Sequence, residues 1–177
     1  MKLPHNLICI DIETTCSDEE KGSIIQLSAA RVKQNFTHVL GDSFNLYVKP
    51  LDSYRNPEAM AVNKISEEIL STAYTLHDAL DLFESFCEDD NILAAWGNYF
   101  DVVFLRKQYE KIYREYPFSH RSMDLKSIAI WEMAKRNKPM TSGVSKFLKE
   151  LGRPFVGEQH NAIDDISNTI NILKEFI

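Results

Sequence analysis

Cysteine is scarce: Cys9, Cys16 and Cys87 are the only three. An odd number with no ligand-type spacing supports neither a disulfide framework nor a zinc site. Long apolar runs are missing as well, and no stretch approaches the ~20 residues that a helix needs to cross a bilayer. Residues 1–6 carry neither the apolar centre nor the small-residue cleavage site of a signal peptide, so the expectation is a cytoplasmic protein that avoids membranes. Positive charge is in deficit, with 20 Lys and Arg against 26 Asp and Glu and a net charge of −6. That argues against a protein that coats long nucleic-acid backbones, yet allows an enzyme that grips a few nucleotides at one end. Repeats, linkers and low-complexity segments are absent, so residues 1–177 are expected to form one domain. What is present is 44% hydrophobic and 26% charged residues, the composition of an ordinary folded chain.

The order of elements follows from periodicity. Leu7-Ile8-Cys9-Ile10-Asp11-Ile12-Glu13-Thr14-Thr15 reads as a buried strand, residues 24–32 as a second, and residues 43–49, stopped by Pro50, as a third. Their adjacency predicts an antiparallel meander. Ser66 caps a short helical turn, and Leu76, Ala79, Leu80, Phe83 and Phe86 mark one face of a longer helix. Asn91-Ile92-Leu93-Ala94-Ala95-Trp96 is a short strand, broken by Gly97-Asn98 into a helix whose stripe is Val102, Leu105, Tyr109, Ile112 and Tyr116. Ser122 or Asp124 caps a helix through Trp131. Thr141 or Ser142 starts another, ended by Gly152 with Pro154 beyond, and a last helix runs from about Ala162 to the C-terminus. Strands first, with helices woven around later strands, predict an α/β or α+β domain built on a mixed sheet.

Four acids and one histidine stand out. Side chains alternate along a strand, so Asp11 and Glu13 share a face, away from Ile10 and Ile12. Two acids side by side on a core strand repel and lose hydration, which calls for something positive between them, most simply a divalent cation. Asp101 lies in the first turn of its helix, where the macrodipole alone favours an acid, but it also follows a strand end, where α/β sheets place their sites. In His160-Asn161-Ala162-Ile163-Asp164-Asp165-Ile166, helical geometry separates the two acids. Asp165 falls on the side of the buried stripe widened by Ala162, Thr169 and Phe176, whereas Asp164 falls with Asn168, Asn171 and Glu175 on the expected solvent face. His160 alone reads rather as a loop histidine with a hydrogen-bonded ring. Together the five suit metal-assisted phosphodiester hydrolysis: carboxylates are the hard ligands of Mg²⁺ or Mn²⁺, two such ions stabilise attacking and leaving oxygens, and a neutral His is a competent base.

At these residues the sequence resembles the histidine-bearing (DEDDh) subclass of the DEDD exonuclease superfamily. Asp11-Ile12-Glu13-Thr14-Thr15 resembles the first motif, Asn98-Tyr99-Phe100-Asp101 the second, and His160 with Asp165 the third, in order from residue 7 to about 173. The resemblance implies a ribonuclease H-like α/β fold, with a central mixed sheet and flanking helices. It also implies a 3′-to-5′ exonuclease that releases nucleoside 5′-monophosphates from single-stranded RNA or DNA with two Mg²⁺ or Mn²⁺ ions. By position, Asp11 would bridge both ions, Glu13 and Asp165 would complete one shell, Asp101 would serve the other, and His160 would be the general base. Thr14 and Asn98 would meet substrate, and Ile65, in Asn63-Lys64-Ile65-Ser66, would pack on the terminal base. Many relatives have Gly at the place of Lys64 and His at the place of Gly97. The wording lies nearest the RNA-trimming branch, with proofreading-type DNA enzymes close, and the superfamily includes both monomers and dimers.

Two rivals use the same residues. A haloacid-dehalogenase-type phosphatase also opens with an acidic pair after an apolar strand, but carries Asp where this chain has Glu13 and a helix where a meander is expected here. A catalytically silent nucleic-acid-binding domain of the same fold would have lost an acid or the His, and none is lost. Phe36, Tyr54 and Tyr99 are candidate base-stacking rings, although such rings are more often core.

Overall fold

The computed structural model describes residues 3–35, 38–90, 92–141 and 143–176. Phe36, Asn91 and Ser142, named above, and the C-terminal residue to which the last helix is expected to run lie outside these residues. β1 (Leu7–Thr14) sits in the middle of a five-stranded sheet. It pairs antiparallel with β2 (Ile24–Val32), which pairs antiparallel with β3 (His38–Tyr47). On its other edge β1 runs parallel to β4 (Leu93–Ala95), and β4 parallel to β5 (Ser122–Asp124), giving the order β3-β2-β1-β4-β5. The hairpin from β1 to β2 removes the helix that the phosphatase reading needs after its first strand.

A strand covered on both faces must be apolar at successive positions, and β1 is. Ile8, Ile10 and Ile12 pack with Leu80 and Phe83 of α3 (Leu76–Cys87) and Val102 and Leu105 of α4 (Asn98–Lys111). Leu7 and Cys9, on the opposite face, meet Ile166, Ile170 and Leu173 of α7 (Ala162–Lys174) and Leu125 of α5 (Leu125–Lys135). A third cluster joins α5, α6 (Val144–Glu150) and α7 through Ala129, Met133, Phe147, Leu148 and Ile172.

Several bounds differ from those read along the sequence. α1 (Pro57–Asn63) was not expected: most of its side chains are exposed, so no apolar period marks it, and it forms on Asn56, whose side chain accepts from Glu58 and Ala59 N–H, with Pro57 in the first turn. Ser66 does cap α2 (Glu67–Ser71). β3 begins earlier than residue 43 and ends at Tyr47, after which Val48 bridges Tyr74. α4 ends at Lys111, and Tyr116 joins the same core from the loop beyond. β5 has too few residues to show alternation. α5 continues past Trp131 to Lys135 because its buried face is Leu125, Ala129 and Met133, which leaves Trp131 exposed. Gly143, not Thr141, is the residue before α6. α7 stops at Lys174, where Glu175 and Phe176 N–H turn back to Ile172 and Leu173 in a tightened last turn and the Arg136 guanidinium covers the Phe176 ring.

Candidate active site

The site forms where β1 outruns its parallel neighbour. β4 pairs with β1 only at Ile8 and Cys9, so the edge of β1 beyond them is free of strand partners. Asp101, one turn into α4 and 5% exposed, fills that gap by accepting the Ile12 N–H at 3.2 Å. Gly97 sets the approach: its φ of 98° lets the chain turn from β4 into α4, and its N–H donates to Asp124, which also caps α5. Asp11 and Glu13 continue the Leu7–Cys9 face of β1 and look toward the start of α7, where Asp165 lies.

His160 joins them from the loop before α7. Its backbone is left-handed, with φ of 64°, and its N–H donates to Asp165 Oδ2 at 2.9 Å. Glu13, His160 and Asp165 each present a ligand atom within 4.8 Å of the other two. The carboxylates feel one another strongly. Burial first, then the charges of Asp101, Asp165 and Glu13, drive the Asp11 carboxyl well above the usual range. Burial, Asp165 and Asp101 push Glu13 up to about 8. Burial raises Asp101 to about 7 against the pull of the Ile12 N–H, and raises Asp165 against the His160 N–H and ring. Among the described residues no lysine or arginine pairs with any of the four. Mutually repelling carboxylates without a protein counter-ion, beside an imidazole, are a donor set that fits hard divalent cations.

Three clefts meet at this cluster. One, of about 680 Å³, lies between the 62–69 turn and the 155–161 loop, with Gln26, Tyr47, Ile65 and His160 in its walls. A second, of about 330 Å³, runs beside Glu13, Thr14 and Phe100. The third, of about 210 Å³, holds Asp11, Asp165 and His160 with Trp96 and Phe155. Ile65 is 7% exposed and packs on Ile25 and Leu70, so it offers a fixed apolar surface at the edge of the large cleft. Lys64, at the place of the family's glycine, adopts the left-handed conformation itself (φ 57°), so the turn keeps a glycine-like backbone. Asn63 ties that turn to β1 through Nδ2 to the Thr14 carbonyl (3.2 Å), while Thr14 Oγ1 donates to the Cys16 carbonyl (2.8 Å). Asn98 turns the other way, donating to Ser122 Oγ at 2.7 Å, and lines none of the three clefts.

Three side chains stand differently from the sequence reading. Asp164 and Asn168 are not on a solvent face: Asn168 is 1% exposed and Asp164 is half-buried, because residues 153–160 fold back against that side of α7. Tyr99, a ring of the kind more often found in a core, is 69% exposed, with Lys126 Nζ 5.6 Å from its ring centre. Gly157 and Phe155 were not singled out, since a short loop between helices carries no periodic signal.

A central β1 flanked by an antiparallel meander and two parallel strands, with acids from β1, α4 and α7 meeting at its end, defines a ribonuclease H-like domain with an acidic cluster that could hold a divalent cation. The chain belongs to the exonuclease family (RNase_T), which matches residues 8–173, and is thereby a nuclease of the DEDD superfamily. Enzymes of this family are divalent-metal dependent. The chain is 29% identical over 180 residues to DNA polymerase III subunit epsilon of Aquifex aeolicus, covering 99% of this chain and 82% of that protein. It is 27% identical over 173 residues to the PolC-type DNA polymerase III of Thermotoga maritima, covering 96% of this chain but only 12% of that much longer protein. In fold it matches cell-death related nuclease 4 (TM-score 0.86, 20% identity, 98% of this chain and 64% of that one). It also matches the nuclease domain of 3′hExo, a DEDDh family member bound to rAMP (0.79, 18%, 97% and 90%).

Proposed function

We propose that residues 1–177 form a single exonuclease domain that removes nucleotides one at a time from the 3′ end of single-stranded RNA or DNA, releasing nucleoside 5′-monophosphates. The observation that carries this reading is the meeting of Asp11, Glu13, Asp101, Asp165 and His160 at the mouth of an open cleft edged by Ile65. Asp11, Glu13 and Asp165 would hold one Mg²⁺ or Mn²⁺, and Asp11 with Asp101 a second. Bound there, the ions offset the carboxylate charge and stabilise charge developing on the attacking and leaving oxygens of the phosphate.

The protein's own residues do the remaining work. His160 is an exposed residue whose ring nitrogen reaches the Glu13 and Asp165 carboxylates, where its imidazole takes a proton from the attacking water. Ile65 gives the terminal base a flat apolar contact, and the Thr14 backbone, held by Asn63, meets the 3′-terminal sugar. The cleft is walled on one side by Val62 and Asn63 of α1 and Ile69 of α2, and His160 lies in its walls together with Ile65.

Matched RNA and DNA oligonucleotides, labelled at either end, test this. With Mg²⁺ or Mn²⁺ the 5′-labelled strand should shorten stepwise, the 3′-labelled strand should lose its label at once as a mononucleotide, and chelator should stop both. Internal cuts, or no product with either metal, would refute the reading. The ratio of RNA to DNA rates and the better metal come from the same gels.

A further inference from the structure

The segment that carries His160 is held by one face of α7. Asn168 clamps Val156 from both sides, accepting its N–H at 3.0 Å and donating Nδ2 to its carbonyl at 2.8 Å. Asp164 Oδ2 accepts the Glu158 N–H at 3.0 Å, and Asn168 Nδ2 also donates to the Asp164 carbonyl at 2.7 Å. Asp165 then takes the His160 N–H. Gly157 allows this closeness: its φ is 90°, and a methyl group there would run into the Asp164 carboxylate. Three side chains spaced i, i+1 and i+4 on one helix thus fasten alternate backbone groups of residues 156–160, and the last link leaves His160 in a left-handed conformation that a free loop would seldom hold.

We propose that Asp164 and Asn168 are positioning residues for His160: they hold the imidazole over the acid cluster without touching substrate or metal. This rests on His160 being the general base. A loop that loses one anchor still folds, but its base spends less time within reach of the attacking water, and small displacements of a catalytic group are costly.

The test compares Asn168→Ala, Asp164→Ala, Asp164→Asn and His160→Ala, all in Mg²⁺, on a 5′-labelled oligonucleotide with and without added imidazole. Mn²⁺ affinity is measured by calorimetry and folding by thermal melting. Asn168→Ala and Asp164→Ala should lose about tenfold to a hundredfold in kcat, with KM and Mn²⁺ affinity unchanged. Added imidazole should restore part of the loss, as it does for His160→Ala. Asp164→Asn, which keeps an acceptor for the Glu158 N–H, should recover most of what Asp164→Ala loses. If Asn168→Ala does not fold, the two Asp164 variants carry the comparison. Full kcat in Asn168→Ala and Asp164→Ala beside a crippled His160→Ala overturns the positioning role and leaves the base reading intact. A loss that imidazole does not relieve, or one that appears in KM or in Mn²⁺ affinity, overturns it too, as a structural effect. Full activity in His160→Ala overturns the base reading and this proposal with it.

Discussion

Without an ion at the proposed site the acid cluster is a burden on the fold, and Glu13 measures how large a burden. In the metal-free protein burial, Asp165 and Asp101 raise its carboxyl from 4.5 to about 8. At 1.36 kcal/mol for each tenfold change in proton affinity, the difference is at most about 5 kcal/mol, and water reaching the partly exposed carboxylate reduces the effect to about 2 kcal/mol. The sign follows from linkage. Between pH 4.5 and 8 the folded state keeps a proton that the unfolded state has lost, so stability is full below the lower value, falls as pH rises through the window, and is flat above it. Glu13→Gln cannot ionise and escapes this loss. In EDTA at pH 8 the variant should melt about 4–8 °C above the wild type, given that a chain of this size gains about 2–4 °C per kcal/mol, and the gap should close near pH 5. Saturating Mg²⁺ should invert the order, because ligand at about a hundred times Kd adds about 2.7 kcal/mol to the protein that binds it. A variant that melts below the wild type in EDTA at pH 8, or a gap that ignores pH, would refute the argument that these carboxylates strain the empty fold.

Asp11→Asn and Asp165→Asn should abolish hydrolysis, since each removes charge from the proposed ion site, whereas Asp164→Asn retains most of it; the reverse pattern, read by product release, would mean that α7 presents the other acid. His160→Ala should lower turnover by about a hundredfold or more while oligonucleotide binding, measured by fluorescence anisotropy in Ca²⁺, stays near the wild-type value. Phe83, fully buried and in ring contact with Phe44 and Phe118 at 5.5 and 5.3 Å, should cost about 3–5 kcal/mol when changed to Ala, seen as a lowered denaturant midpoint with the slope unchanged.

By itself the sequence determined the strand that anchors the sheet, the meander and the stripes of α3, α4 and α7, and it singled out four acids and one histidine. Strand alternation put Asp11 and Glu13 on one face, and the pitch of a helix separated Asp165 from Asp164. These are local facts, set by backbone geometry over a few residues. Only the tertiary structure decided what lay across chain distance. α1 and β5 had no period to betray them, and α5 ran on because its buried face skips Trp131. The short β4 left the Ile12 N–H for Asp101, a pairing that depends on where a neighbouring strand stops. Asn168 looked solvent-facing along the helix and is buried because a loop from before the helix returns to cover it. Periodicity reports which face of an element is apolar; it cannot report which polar face another segment will come to need.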